Sequence, residues 1–344
     1  MTTPAPTETI PLKSRVILWF MFFGICAGMG YPILNRYDPA TVEGVGDSKH
    51  YAMIVKHGPV DVPDTHWRCR VLIPMLARPI YKVVNGRIDP WNPVSFSLLA
   101  VAAAISATTA MVLVLIGHHV AGSMPVGVIG ALLFLVNFWV PNSHLSGMVD
   151  SGEACASVLF AWFLLQSRWW ALIPVIIFGA LAKETAVTLC GAFAVVWWFF
   201  QWRENKVGPR QFAWVAITIA AGYATMLSVR LWLRGSIILD YGSLPPREAD
   251  GWAMFSRAFL DHQFWYAWVW LFPLAVWRVK QLPRPWLMAS CAGAGVALAG
   301  GMYMVTTGGN ITRPMFNMLG PALSVAAAMT LSELMVEKHD ASDQ

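Results

Sequence analysis

The amino-acid sequence predicts an all-α integral membrane protein, and three observations support this fold class. Hydrophobic residues make up 57% of the 344 residues and charged residues only 12%, with a mean hydropathy of +0.54, a composition typical of membrane proteins. Apolar segments of near-spanning length recur along the chain. The sequence also contains 18 Trp and 18 Phe, and aromatic rings favour the interface between lipid and water.

Charge and cysteine usage exclude several other classes. The net charge of +5 is small for this length and includes no basic run, so the pattern does not indicate binding to nucleic acid. No CxxC pair and no even framework occurs among the five cysteines, which argues against a disulfide scaffold and against a structural zinc site. These cysteines are Cys26, Cys69, Cys155, Cys190 and Cys291.

Ten apolar segments are predicted to cross the membrane as helices. The first covers residues 16–34 and is long for the apolar part of a signal peptide, so we interpret it as a retained helix. A spanning helix needs about 20 residues, so flanking aromatic and small polar residues must complete the shorter segments. The remaining segments are residues 94–116, 126–140, 154–165, 169–182, 185–200, 212–233, 264–277, 287–306 and 315–335.

The domain organisation is expected to be one membrane domain over residues 16–335, between a cytosolic lead (1–15) and a cytosolic tail (336–344). Two short loops, 202–210 and 278–286, each carry three basic residues. The positive-inside rule therefore places these loops and both termini in the cytoplasm. The long loop 35–93 then lies on the outer side.

This orientation gathers the acidic residues on the outer side, so any chemistry is expected at the outer face of the membrane. Thirteen of the nineteen acidic residues lie there: Asp38, Glu43, Asp47, Asp61, Asp64, Asp89, Asp150, Glu153, Glu184, Asp240, Glu248, Asp250 and Asp261. Two amphipathic helices are predicted in the first outer loop, over residues 47–56 and 71–84. Tyr51, Ile54 and Val55 form the apolar side of the first of these helices.

Ionisable residues at the lipid boundary are costly and usually face a cavity or a partner. Lys183 and Glu184 lie between two apolar runs without a real loop, either as a solvated hairpin tip or as part of a site. Arg313 enters the last apolar segment from the outer side. Its guanidinium suits a grip on phosphate, with interfacial snorkelling as the alternative.

Several motifs resemble the polytopic glycosyltransferases of the GT-C superfamily. They are Asp47 with Tyr51 four residues later, the run 68–74 with sequence RCRVLIP, Asn142 and Asp150 in the second outer loop, the run 182–185 with sequence AKET, and Arg313 ahead of Pro321. The first two are similar to a pattern D-x3-Y, then R-x-L-x-P, of an uncharacterised bacterial branch. The specific matches are confined to the first outer loop and the residues around Lys183.

This resemblance implies a GT-C-like enzyme of the bacterial inner membrane. Such an enzyme transfers a sugar, usually with inversion, from a polyprenyl-phosphate-linked donor to a glycan, lipid or protein acceptor at the outer face. Asp47 matches the position of the family's catalytic carboxylate, and Asp38 and Glu43 are second choices. The residues expected to bind the donor or its phosphate are His50, Arg68, Arg70, Lys183, Glu184 and Arg313.

Several alternatives remain open from the sequence. Asp47 is also a suitable N-cap for the helix that follows it. Asp150 and Glu153 are candidates for an acceptor site or for a divalent cation such as Mg²⁺ or Mn²⁺, although no DxD pair is present. The other function classes are a transporter or flippase for a lipid-linked or small anionic substrate, and a non-catalytic membrane assembly factor.

Overall fold

The fold is all-helical, as the sequence predicts. The structure, a computed structural model, describes residues 10–36, 46–62, 66–237, 251–260, 262–303 and 308–342, and no strand occurs in these ranges. The α-helices of this part are α1 Leu12–Arg36, α2 Ser48–His57, α3 Leu72–Val84, α4 Pro93–Ala121, α5 Met124–Leu135, α6 Asp150–Leu165, α7 Leu172–Ala182, α8 Thr185–Arg203, α9 Pro209–Arg234, α10 Gly251–Leu260, α11 His262–Trp268, α12 Leu271–Val276, α13 Arg284–Tyr303 and α14 Gly308–Ser342.

Six of the described helices are long and apolar enough to cross a membrane: α1, α4, α8, α9, α13 and α14. The protein is therefore a multi-span membrane protein. The other four of the ten predicted spans have no helix of that length. α5, α6 and α7 contain 12, 16 and 11 residues, and the segment 264–277 is divided between α11 and α12.

Several predicted boundaries were wrong. The apolar segment 126–140 ends as α5 at Leu135, and a short π-helical turn, Val140–His144, follows it. An additional helix, α10, lies between the predicted spans 212–233 and 264–277. α1 begins at Leu12 and α14 continues as far as Ser342, so both helices extend beyond the predicted spans 16–34 and 315–335.

Capping residues explain where α4 begins and ends. Asn92 precedes the helix, and its side-chain oxygen accepts hydrogen bonds from the backbone N–H groups of Val94 and Ser95. Pro93 occupies the first helical position, where no backbone donor is needed. Gly122 ends the helix in the left-handed conformation with φ of +67°, which glycine adopts without steric cost.

The main core is formed by the spanning helices and the shorter helices packed between them. α4 and α5 approach closely because a glycine lies at each side of the contact: a Cβ added to Gly117 would lie 2.5 Å from the Cα of Gly127. Likewise, a Cβ on Gly222 of α9 would lie 2.7 Å from Ile176 of α7. Close helix packing through small residues is typical of membrane bundles.

A second, smaller core joins α2 and α3 to the beginnings of α4 and α6. Tyr51, Ile54 and Val55 of α2 are buried there together with Ile73 and Ala77 of α3. The predicted apolar side of the first amphipathic helix is thus confirmed. Helices α4, α6, α8 and α14 all begin at the same end of the bundle. We call this end the "site end".

Candidate functional site

Charged side chains from four separate segments converge at the site end. They come from the first loop, the start of α6, the turn between α7 and α8, and the first part of α14. We call this set the charged cluster, and its members are Asp47, Arg70, Asp150, Glu153, Lys183, Glu184 and Arg313. The four segments are ones that the sequence places on one side of the membrane.

The first part of the charged cluster is built around Arg70. Its Nε and Nη2 atoms donate to the two carboxylate oxygens of Glu184, at 2.9 and 2.6 Å. The third nitrogen, Nη1, donates to the Tyr51 hydroxyl at 3.0 Å and lies 3.8 Å from Oδ2 of Asp47. A two-pronged pair of this kind fixes the plane of the guanidinium group.

The second part is built around Lys183. Its ammonium Nζ lies 2.7 Å from Oδ1 of Asp150 and 3.3 Å from Oε2 of Glu153. Arg313 reaches the other carboxylate oxygen of Asp150 at 3.3 Å. Lys183 and Glu184 are therefore largely buried members of the charged cluster rather than a solvated hairpin tip, and their adjacent side chains contact different parts of the cluster.

Uncharged polar residues extend the second part into the bundle. Asn317 of α14 donates to Glu153 at 2.8 Å, and its side-chain oxygen lies 2.9 Å from Nε2 of His144. Thr185 donates to the remaining oxygen of Glu153. Ser143 donates to Asp150 at 2.7 Å. Sequence reasoning missed Ser143, His144 and Asn317, and it included Thr185 in the motif 182–185 without predicting it as a site residue.

Burial and ion pairing act in opposite directions on the ionisable groups outside the six long apolar helices. Burial raises the pKa of Glu184, but the charge and hydrogen bonds of Arg70 outweigh it and lower the value to about 2. Burial lowers the pKa of Arg70, but the neighbouring groups, Glu184 above all, raise it by a larger amount. The guanidinium therefore remains charged. Burial raises the pKa of Tyr51, which keeps its hydroxyl neutral.

The same competition operates at Lys183 and His144. Burial lowers the pKa of Lys183, but the carboxylates of Asp150 and Glu153 raise it above its ordinary value. His144 has no such compensation, because burial lowers its pKa more than Asp150 raises it. Its imidazole is therefore neutral at pH 7, with one ring nitrogen placed against Asn317.

Charge balance in the cluster singles out Asp47. Three cations face four carboxylates, and Asp150, Glu153 and Glu184 are each at most 9% exposed and bonded to a cation. The Asp47 side chain is 33% exposed, and within the described ranges its ion-pair contact is the longer one to Arg70. It forms no capping hydrogen bond with α2, although it occupies the N-cap position. Its carboxylate is thus not used as a helix cap.

Two residues predicted to bind the donor have other contacts. Arg68 donates to the backbone carbonyl oxygens of Pro59 and Val60, both at 2.5 Å, and so holds the loop that precedes it. The imidazole of His50 stacks on the indole of Trp67, with ring centroids 4.2 Å apart. The second-choice acids, Asp38 and Glu43, lie outside the described residues.

Asp150 and Glu153, the two acids considered for a divalent cation, are bonded to a cationic side chain in the structure. The Lys183 ammonium lies between their carboxylates, 2.7 Å from Asp150 and 3.3 Å from Glu153. Within the described ranges, no group of three or more His, Cys, Asp or Glu side chains is arranged to hold a metal ion.

Neither a protein-family model nor a curated protein sequence matches the chain.

Proposed function

We propose that the protein is a membrane glycosyltransferase of the GT-C type. It transfers a sugar from a polyprenyl-phosphate-linked donor to a hydroxyl group of a glycan, lipid or protein acceptor at the outer face of the cytoplasmic membrane. One observation carries this proposal. Asp47 is the carboxylate of the charged cluster that is partly exposed, and among the described residues its contact to a cation is the longer one of 3.8 Å to Arg70, while the buried carboxylates around it are bonded to cations.

Asp47 is suited to the role of general base. Inverting transfer requires a carboxylate that removes the proton of the acceptor hydroxyl as the anomeric carbon gains oxocarbenium character. The leaving group is a lipid phosphate, which needs a cation more than it needs an acid. Arg313 is the candidate for that cation, because its side chain is 18% exposed and its contact to Asp150 is 3.3 Å long.

The position of the charges favours a transferase over a transporter. Transporters place charged groups near mid-membrane depth, where helices are broken. Here Asp150 is the first residue of α6, and Lys183 and Glu184 form the turn before α8. The charges therefore lie at helix ends.

The proposal includes ten crossings with both termini in the cytoplasm. In addition to the six long helices, α5, α6, α7 and the pair α11 and α12 would each cross, with aromatic and small polar neighbours completing the shorter ones. With ten crossings of alternating direction, the chain is at the site end each time that α4, α6, α8 or α14 begins. This agreement supports the proposal.

The test is transfer by the purified full-length protein and its Asp47→Asn variant. The donors are undecaprenyl-phosphate-linked hexoses and pentoses, and transfer to a detergent-solubilised lipid or oligosaccharide acceptor is followed by mass spectrometry. We expect the rate to fall by about 10²–10⁴-fold. The thermal unfolding midpoint should not change, because Asp47 makes no capping hydrogen bond.

The matched control is Asp61→Asn, which changes an exposed acid of the same loop. It should transfer at the wild-type rate. A folded Asp47→Asn variant that also transfers at the wild-type rate would remove Asp47 from the mechanism.

A further inference from the structure

We infer that the end of the bundle opposite the site end binds the headgroups of anionic phospholipids. The surface lies where α8 ends and where α9 and α13 begin. α8 has 19 residues and separates this surface from the site end by about 28 Å, so the inference does not depend on the proposed function. The juxtaposition that carries it is a set of exposed cations beside exposed aromatic rings. We call this surface the basic end, and its exposed cations are Arg203, Lys206, Arg210, Lys280 and Arg284.

Side-chain contacts join the three helix ends into one surface. The Arg284 guanidinium lies over the ring of Phe200, 5.3 Å from its centroid, so the start of α13 lies against the end of α8. The indole N–H of Trp198 donates to the carbonyl oxygen of Gly208 at 3.4 Å. The ring centroids of Trp198 and Phe212 are 4.7 Å apart. These two contacts hold the start of α9 against α8 as well.

Positive charge predominates at the basic end. The segments 203–210 and 278–284 contain six basic residues and one acidic residue. That acid, Glu204, pairs with Lys206, and an acid of α14 pairs with Arg278. Six cations and two acids leave an excess of four positive charges in this set. The charged cluster at the site end has the opposite balance, with three cations and four carboxylates.

Arg203 and Arg284 are oriented by aromatic rings, which leaves their charge available. The guanidinium of Arg203 lies 5.9 Å from the centroid of the Phe199 ring, and that of Arg284 lies over Phe200. The two rings are 5.8 Å apart, so both guanidinium groups lie at the same helix end. A cation–π contact directs a guanidinium group without neutralising it. Its N–H groups thus remain suited to two-pronged binding of a phosphate.

Exposed aromatic rings give the basic end an apolar part. Phe199, Trp202 and Phe212 are between 41 and 49% exposed, and they belong to helices long enough to cross a membrane. Aromatic rings at such helix ends favour the boundary between lipid and water. Inorganic phosphate would contact the cations and leave these rings in water. A phospholipid supplies a phosphate and acyl chains in one molecule, and a negative headgroup matches the excess positive charge.

The test is native mass spectrometry of the purified full chain in an uncharged detergent. The protein is titrated with phosphatidylglycerol or with phosphatidylcholine of the same acyl chains, and the dissociation constant of the first bound lipid is measured. We expect the wild type to bind phosphatidylglycerol at least about 25-fold more tightly than phosphatidylcholine. Arg203→Gln and Arg284→Gln should each weaken phosphatidylglycerol binding about fivefold, and together about 25-fold, without changing phosphatidylcholine binding.

Two further variants serve as controls. Lys82→Gln/Arg87→Gln removes two exposed cations from the end of α3 and the loop after it, and it should bind phosphatidylglycerol with the wild-type affinity. Arg203→Lys/Arg284→Lys keeps both charges and should keep the preference for phosphatidylglycerol. This variant separates the loss of charge from damage to the fold.

The outcomes decide between a lipid and other occupants of the basic end. Equal affinities of the wild type for the two lipids, or equal losses in the two double Gln variants, would overturn the inference. Competition by inorganic phosphate would assign the cations to a free anion, and a dimer that requires Arg203 and Arg284 would assign them to a second copy of the chain. Either result would also overturn it. A protein that transfers no sugar but shows the expected lipid preference would keep this inference and remove the transferase.

Discussion

Lys183 and Asp150 form a buried ion pair in which Nζ lies 2.7 Å from Oδ1. The pair joins the turn before α8 to the first residue of α6, and Glu153 and Arg313 complete it. Each of these groups would be costly to bury alone. The pair therefore does two things at the site end: it neutralises buried charge, and it fixes the turn from which Glu184 reaches Arg70.

Replacing Lys183 with methionine should destabilise the protein strongly. The substitution keeps the approximate volume of the side chain but leaves Asp150 and Glu153 with reduced compensation. Breaking a buried pair by removing one partner costs about 3–5 kcal/mol of unfolding free energy. Denaturant titration of the detergent-solubilised protein measures this loss. Lys206→Met is the control, because the Lys206 side chain is 62% exposed and pairs with Glu204 on the surface. Similar losses in both variants would contradict the buried role of Lys183.

Asn317 should be needed for stability although it carries no charge. Asn317→Ala removes a hydrogen bond to Glu153 and the contact with His144, both of them buried. Leaving buried polar groups without partners costs about 1–3 kcal/mol. The control is Asn142→Ala, because Asn142 is exposed and its side chain donates to the carbonyl oxygen of Phe138 in the same turn. An equal thermal midpoint for the two variants would show that the contacts of Asn317 with Glu153 and His144 do not stabilise the fold.

The sequence allowed several residues of the charged cluster to be predicted, but not which carboxylate each cation contacts. The alternation of apolar segments places Asp47, Arg70, Lys183, Glu184 and Arg313 on one side, and the structure brings them together. Which carboxylate each cation contacts depends on the packing of α3, α6, α8 and α14, which no local pattern specifies. Two adjacent residues, Lys183 and Glu184, therefore serve different partners.

Some of the missed residues and helix interruptions could have been predicted from the sequence, and others could not. Asn317 follows Arg313 by four residues, which places both on one face of a helix, so a signal was present. His144 lies in a short polar stretch that has no periodicity. The division of 264–277 also has a local cause, since Pro273 lies in the first turn of α12, where proline is tolerated, and would interrupt a continuous helix.

Acid should weaken the fold through Glu184. Its pKa is 4.5 in the absence of structure and about 2 in the folded protein, so the folded state favours the charged carboxylate. The stabilisation is complete above about pH 4.5 and is lost as the pH falls toward 2; its size is on the order of 3 kcal/mol. Thermal midpoints between pH 7 and 2 measure the effect.

The comparison for this pH dependence is the double variant Arg70→Gln/Glu184→Gln. It lacks the carboxylate and its cation, so its thermal midpoint should fall less steeply between pH 4.5 and 2. Other acids contribute equally to both proteins and cancel in the difference. Identical curves would mean that the Glu184–Arg70 pair does not contribute to stability.

Gly127 should tolerate no side chain, because α5 lies against the backbone of α4 at this point. A Cβ on Gly127 would overlap the carbonyl oxygen of Val114 and lie 3.0 Å from its Cα. Backbone atoms cannot rotate away, so Gly127→Ala must separate α4 from α5 at a cost of about 1–3 kcal/mol. Gly28→Ala is the control: no atom lies within 4 Å of its added Cβ, and alanine is the better helix former. Its thermal midpoint should equal or exceed that of the wild type. A stable Gly127→Ala variant would mean that α4 and α5 can move apart without loss, and the contact would then not be what holds α5, and His144 beyond it, against the site end.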